Sequence, residues 1–220
     1  MKIKALVAVR SGSVRVKNKN VRTFGDSNLL EIKLQQLLRI KNLDGIIVNS
    51  NDDSMLKIAE SYGVETVKRD SYYASSEVSM SAVYRNMAEN FSGDVVAYIN
   101  VTNPLMKDET IFNLIEVYRS MGKEHDSVNT THLVKEFMWQ NGQALNYEPL
   151  NQPRSQDLPD IHALNFAVSL ISKEKMIELK NVVGEKPFLY PIDYYEATDI
   201  DNEIDFEIAE YLFMKKIMER

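Results

Sequence analysis

Short apolar runs alternate with helical stripes through the first 125 residues. Ile3 to Val9 is a short run rich in Val, Ile and Leu, the pattern of a buried strand. Leu30, Leu34, Leu37 and Leu38 then recur at helical spacing. The alternation repeats. "DGIIVNS" predicts a second buried strand, and Met55, Ile58, Ala59 and Tyr62 a helix that stops at Gly63. "VETVKRD" and "DVVAYIN" predict two more strands, with stripes Met80, Val83, Tyr84, Met87 and Ile111, Leu114, Ile115, Tyr118 after them. Strands in alternation with helices predict βαβ units and a parallel sheet covered on both faces.

The pattern changes near Asp126. "DSVNTTHLV" and "EFMWQNGQALNYE" are rich in β-formers, with Asn141-Gly142 as a two-residue hairpin turn, and "LNFAVSLI" is a further buried strand. Residues from about 126 to 165 read as a β-rich insertion, a usual place for substrate or subunit contacts. Phe206, Ala209, Phe213 and Ile217 outline a C-terminal amphipathic helix. The expectation is an α/β chain with a Rossmann-like, mostly parallel sheet flanked by helices and a β-rich inserted arm, all in one domain over 1–220.

Composition narrows the function classes. The net charge of −6 disfavours general affinity for nucleic acid or an anionic membrane, so local basic clusters point to a specific small anion. There is no cysteine, which excludes disulfides and thiolate metal sites and fits a reducing cytoplasm. The first apolar run is too short for a signal peptide or a membrane span, and a cytoplasmic location is expected. His125, His132 and His162 lack metal-ligand spacing and read as structural or surface residues. Trp139, with Phe137 and Met138, reads as core packing more readily than as a subunit contact.

Against the acidic background, "AVRSGSVRVKNKN" gathers Arg10, Arg15, Lys17 and Lys19 in the loop after the first strand. In open α/β sheets, ligands bind at the carboxyl ends of the strands, where this loop must lie. Ser11-Gly12-Ser13 lets backbone approach an anion, and Arg10 and Lys19 can neutralise phosphate oxygens. The loop carries neither GxxxxGK[ST] nor GxGxxG, so P-loop hydrolases and dinucleotide oxidoreductases fit poorly. A solvated basic loop remains the plain alternative. Near the other end, Asp199 and Asp201 stand at i, i+2, which in an extended segment turns both carboxylates to one side. That arrangement suits a divalent cation, while helix capping is the alternative, and Asn202 and Asp205 read as caps.

"RSGSxRxxxKN" resembles the first motif of the CMP-sialic acid and CMP-Kdo synthetase cytidylyltransferases, typically "PARxGSKxxPxKN". The likeness continues in order. "IIVNSNDDSMLKIAESYGVETVKRD" is similar to "IVSTDxxxIAxxAxxyGaxvxxRp", and "YINVTNPLM" stands where that family has "LQPTSPLR". "QPRSQDLPDIHALNFAV" is similar to "xxRRQxLPxxyrxNGaiY", and "EATDIDNEIDFEIAE" to "SIDIDTELDLxIAE". The resemblance implies Mg²⁺-dependent transfer of a cytidylyl group from CTP to a small acidic acceptor, in a homodimer whose inserted arm closes the partner's pocket. It makes Arg10 and Lys19 catalytic cations, with Arg10, Ser11, Gly12, Ser13, Lys19 and Asn20 on the nucleotide and Arg69 near the pyrimidine. It gives Asn100, Thr102, Arg154 and Asn165 to the acceptor, and Asp199 and Asp201 to Mg²⁺.

The likeness also has gaps. A phosphate-side lysine is replaced by Val14, with Arg15 beside it, and an aspartate by Asn51. Asn100 replaces a glutamine, and Met106 and Ala163 stand at arginine positions. The nucleotide half is kept better than the acceptor half, which predicts an unusual acceptor: a nonulosonic acid, or a small phosphonate or phosphoramidate such as 2-aminoethylphosphonate or phosphoglutamine. A sugar-1-phosphate nucleotidyltransferase would need a glycine-richer first loop, and a non-catalytic nucleotide-binding protein is the non-enzyme alternative.

Overall fold

The computed structural model describes residues 1–218; the side chain of Ile217 lies outside the described residues. The chain runs through β1 (Ile3–Ala8), a small pairing of β2 (Thr23–Phe24) with β3 (Ser27–Asn28), α1 (Leu29–Leu38), β4 (Ile46–Ser50), α2 (Asp53–Ser61) and β5 (Glu65–Lys68). It continues through α3 (Met80–Glu89), β6 (Val95–Ile99), α4 (Asp108–Ser120), β7 (Ser127–Val134) and the β8 (Trp139–Gln140) and β9 (Gln143–Ala144) pair. It ends with β10 (Ile161–Ser172), α5 (Lys173–Leu179), β11 (Pro187–Pro191) and α6 (Glu203–Met218).

Seven strands form one sheet in the order β11-β7-β10-β6-β1-β4-β5. Only β10 runs against its neighbours, pairing antiparallel with both β6 and β7; the other ladders are parallel. Alternate side chains along each strand feed two cores. Ile3, Ala5 and Val7 of β1 meet α1, α2, α4 and α6, whereas Leu6 joins Val96 and Tyr98 of β6 beneath Val83 and Met87 of α3. All five positions in each of β4 and β6 are buried, which explains the apolar stretches Ile46 to Val48 and Val95 to Ile99. Among the described residues, no helix is long and apolar enough to cross a membrane.

The β-rich inserted arm expected over 126–165 is in large part main sheet. Residues 127–134 are β7, a strand inside the main sheet, and 161–165 belong to β10. Only residues 135–160 leave the sheet. The cause lies in buried polar groups. Asn129 donates to Ser169 Oγ at 2.9 Å and to Val182 O at 3.0 Å, and Thr130 Oγ1 donates to Asn165 Oδ1 at 2.7 Å. Such satisfied polar side chains sit in a core without penalty but look like surface in a hydropathy pattern. The hairpin turn falls where expected, with Asn141 at φ 52° and Gly142 at φ 78°. Trp139, in contrast to the core position expected for it, is more than half exposed on this hairpin and donates to Tyr147 Oη at 2.7 Å.

Strand β10 is irregular. Its register against β7 shifts between Leu164 and Ser169, and Phe166 takes a left-handed φ of 54°. Asn165 Oδ1 accepts from Ala167 N at 3.1 Å, and Asn100 Nδ2 donates to Phe166 O at 3.0 Å, so two asparagines hold the bulge.

Candidate active site

The basic loop leaves the carboxyl end of β1 in the centre of the sheet. It is fastened from below. Arg69, buried at the end of β5, donates to Val9 O and, at 3.4 Å, to Asn49 O. Asn20 Nδ2 donates to Arg10 O at 3.1 Å, and the first turn of α1 takes hold of the loop through Leu30 N to Asn20 O, 3.1 Å. Gly12 has φ +78°, a conformation that disfavours any side chain. Arg10 donates to Ala74 O.

Asn51 grips Ser11 twice, accepting from Ser11 N at 3.2 Å and donating to Ser11 Oγ at 3.0 Å. An aspartate could accept but not donate, which gives the asparagine here a local reason. Asp52, next in sequence, caps α2, and Asp53 pairs with Lys68; neither turns to the loop. Asn51→Asp should therefore weaken binding of a phosphate anion such as tripolyphosphate about tenfold by setting a negative charge beside the basic loop. Calorimetry at two salt concentrations checks this, since the loss should shrink with salt.

The acidic segment comes to the same place. Lys19 Nζ donates to Ile200 O, and Arg15 pairs with Asp201 at 2.7 Å. A cavity of about 240 Å³ is lined by Arg10, Ser13, Arg15, Lys19, Asn20 and Asp201. A second one, about 350 Å³, shares Ala8, Val9 and Arg10 with it and extends over Arg69, Tyr73 and Tyr98. Arg15 thus supplies a cation where Val14 stands out in solvent. Residues roughly 180 apart in the chain meet here.

Burial sets the electrostatics. It holds the Lys19 ammonium below its ordinary pKa, against the pull of Asp199 and Asp201. It lifts the Asp199 carboxyl above its ordinary value, an effect that Asp201 reinforces and a hydrogen bond from Thr102 opposes. The other oxygen, Asp199 Oδ1, is buried with no hydrogen-bond partner. A buried bare carboxylate oxygen is costly unless a cation meets it, so this atom fits a metal ligand. No group of three His, Cys, Asp or Glu able to hold a metal occurs among the described residues. Asp199 and Asp201 could offer a hard cation such as Mg²⁺ two carboxylates, with the rest of its oxygens coming from outside the protein. The caps behave as expected: Asp205 accepts from Asp201 N and Asn202 N, each at 2.9 Å, and Asn202 accepts from Asp205 N at 3.0 Å.

The acceptor set is less convergent. Thr102 holds Asp199, and Asn100 holds the bulge. Asn165 is buried with Nδ2 unpartnered. Arg154 lies 77% exposed and pairs with Asp157 at 2.9 Å. Met106 is core. The histidines are dispersed: His125 meets Phe188 edge to face, His132 lies tilted against Tyr194, and His162 Nδ1 meets Thr131 Oγ1 at 2.9 Å.

A residue that sequence reading missed stands behind this site. Lys33 in α1 has no solvent exposure; burial lowers its pKa to about 7, and Asp108 only partly opposes this. The folded chain thus holds fewer protons than the unfolded chain between pH 7 and the ordinary lysine value. Stability should rise with pH across that window. The urea midpoint should climb above pH 7 in the natural protein and flatten in Lys33→Met.

Residues 4–163 match the family model described as "Cytidylyltransferase". The chain is 24% identical to the N-acylneuraminate cytidylyltransferase of Escherichia coli over 98% of its own length, but spans only 53% of that protein. It is also 24% identical to the CMP-N,N'-diacetyllegionaminic acid synthase of Campylobacter jejuni, over 96% of this chain and 94% of that one. Among solved structures it is similar to a CMP:2-keto-3-deoxy-manno-octonic acid synthetase complexed with CTP, at a TM-score of 0.70 and 12% identity, covering 98% of this chain and all of that one.

Proposed function

Because the chain belongs to the cytidylyltransferase family, a group of CTP-dependent nucleotidyltransferases, we propose that it transfers the cytidylyl group of CTP to a small acidic acceptor, with Mg²⁺ as cofactor. The observation that carries this reading is the meeting of Lys19 and Arg15 with the Asp199–Asp201 segment over one cavity.

In the reaction, an acceptor oxygen attacks the α-phosphorus, and the bond to the β-phosphate breaks with its electron pair leaving on pyrophosphate. Charge gathers on phosphate oxygens, so catalysis is mainly placement and neutralisation. Arg10 and Lys19 meet that charge, backbone at Ser11, Gly12 and Ser13 approaches the phosphates, and Asn20 keeps Arg10 in line through its main chain. Asp199 and Asp201 would hold Mg²⁺, which when bound neutralises and orients phosphate oxygens. The adjoining cavity over Arg69 and Tyr98 has room for the cytosine base, with the unpartnered Arg69 Nε as a candidate donor.

The acceptor we propose is a sialate-like nonulosonic acid; a phosphonate or phosphoramidate is the second reading. Burial of Met106 and the outward position of Arg154 favour the second, since among the described residues neither position offers an arginine clamp for a carboxylate. An arm from a partner subunit in a homodimer would alter that count and favour the first. Either product is a CMP-activated building block for a surface glycan or capsule, made in the cytoplasm by a protein free of nucleic acid and membrane. Pyrophosphate release with CTP, Mg²⁺ and a panel of both acceptor classes tests the proposal. Release with no acceptor, or binding of CTP without turnover on any acceptor, counts against it, the latter in favour of a non-catalytic nucleotide-binding protein.

A further inference from the structure

Lys33 gives up its hydration to make two hydrogen bonds. Its Nζ donates to Gln36 Oε1 at 2.7 Å and to the main-chain oxygen of Asn103 at 3.0 Å. No carboxylate is bonded to it. Asp108, whose charge acts on Lys33 without a bond to it, is taken by Arg39 Nε at 2.7 Å and by Gln36 Nε2 at 3.0 Å. An apolar side chain of the same length would pack there at far lower cost, so core filling does not account for a lysine.

Both acceptors lead to one loop, 102–106. Gln36 Nε2 donates to Met106 O at 2.7 Å, so Lys33 and Gln36 hold the loop at two points. From the loop, three bonds reach the acidic segment: Asn103 Nδ2 to Thr198 O at 3.1 Å, Ile200 N to Thr102 O at 3.0 Å, and the Thr102 side chain to Asp199. The same helix holds the basic loop through Leu30 N and Asn20 O. Both halves of the site therefore take their place from α1.

We propose that Lys33 is a positioning residue that fixes loop 102–106 through Asn103 and so sets the spacing between the basic loop and the Asp199–Asp201 segment. The proposal rests on the reading above only for what the two halves hold; the mechanical link stands on the contacts alone.

Two readouts test it in the intact chain. In Lys33→Met, hydrogen exchange at the Ile200 amide should quicken about tenfold while the amides of β1 and β4 stay unchanged. Calorimetry should show the Mg²⁺-dependent part of CTP affinity weakened about tenfold, with metal-free CTP affinity kept within about twofold. Asn103→Leu, which removes the donor to Thr198, should reproduce both effects, and the double variant should be no worse than the worse single one. Uniform quickening across the sheet would mark Lys33 as ordinary core and overturn the proposal, as would an Ile200 amide indistinguishable from the natural protein. If Lys33→Met does not fold, Lys33→Gln and Asn103→Leu carry the same comparison, and additive effects in their double variant overturn the link. If the natural protein binds CTP equally with and without Mg²⁺, the functional reading fails, and the Ile200 amide alone decides the positioning.

Discussion

Asp199→Asn is expected to lower kcat by about 10³-fold with the fold intact, the size of effect seen when a group that meets transition-state charge is lost. The substitution keeps shape and removes charge. The natural carboxylate is buried, one oxygen has no partner, and its pKa stands above the ordinary value. A raised carboxyl pKa means the folded state favours the proton, so at neutral pH the charged form costs stability, and that cost fades as pH falls through the folded pKa. The neutral variant should thus melt no lower than the natural protein at pH 7, and its relative advantage should vanish in acid. Loss of turnover together with equal or higher Tm is the expected pairing. Full turnover would remove Asp199 from the reaction.

Lys19→Met is the second large effect, an expected fall in kcat/KM of about 10²- to 10³-fold. Lys19 reaches across the cavity to Ile200 O, so its ammonium lies between the basic loop and the acids. Burial already disfavours its charge, which Asp199 and Asp201 only partly restore. A phosphate anion would add a charged partner to the main-chain oxygen this cation already meets. The loss should therefore fall on nucleotide-dependent steps, with thermal stability almost unmoved. Lys19→Arg should not rescue fully, because a planar guanidinium cannot replace a compact ammonium in a partly enclosed site. Steady-state kinetics with thermal melts of both variants checks the point.

Most of the sheet was legible because β1, β4 and β6 are largely buried on both faces and read as short stretches rich in apolar residues. The basic loop stood out by its cations against an acidic chain, but its expected role, like that of Asp199 and Asp201, came from the resemblance and not from spacing. What hid was polar and internal. Asn129, Thr130 and Thr131 sit fully buried in β7, and nothing in a hydropathy pattern separates such residues from an exposed arm. Lys33 occupies a helix where a lysine ordinarily faces water; its position in the stripe of Leu30, Leu34 and Leu37 was the available signal. Arg15 carries the charge one residue beyond Val14, and a one-residue shift in a loop is not readable without coordinates. The acceptor side stayed least legible, since Asn100 and Thr102 spend their side chains on Phe166 O and Asp199.

Strand β10 joins β6 on one side to β7 on the other, yet it follows both in the chain. During synthesis, β6 should therefore keep one open apolar margin until residue 172 has emerged, and β7, whose partners β10 and β11 both come later, has no strand to pair with. Any fragment cut at residue 163, where the family match ends, stops before Val168 can meet Ile99. Such a piece should clump instead of folding. The natural boundary of the folding unit lies past that strand, and shortened versions of this protein should be designed accordingly.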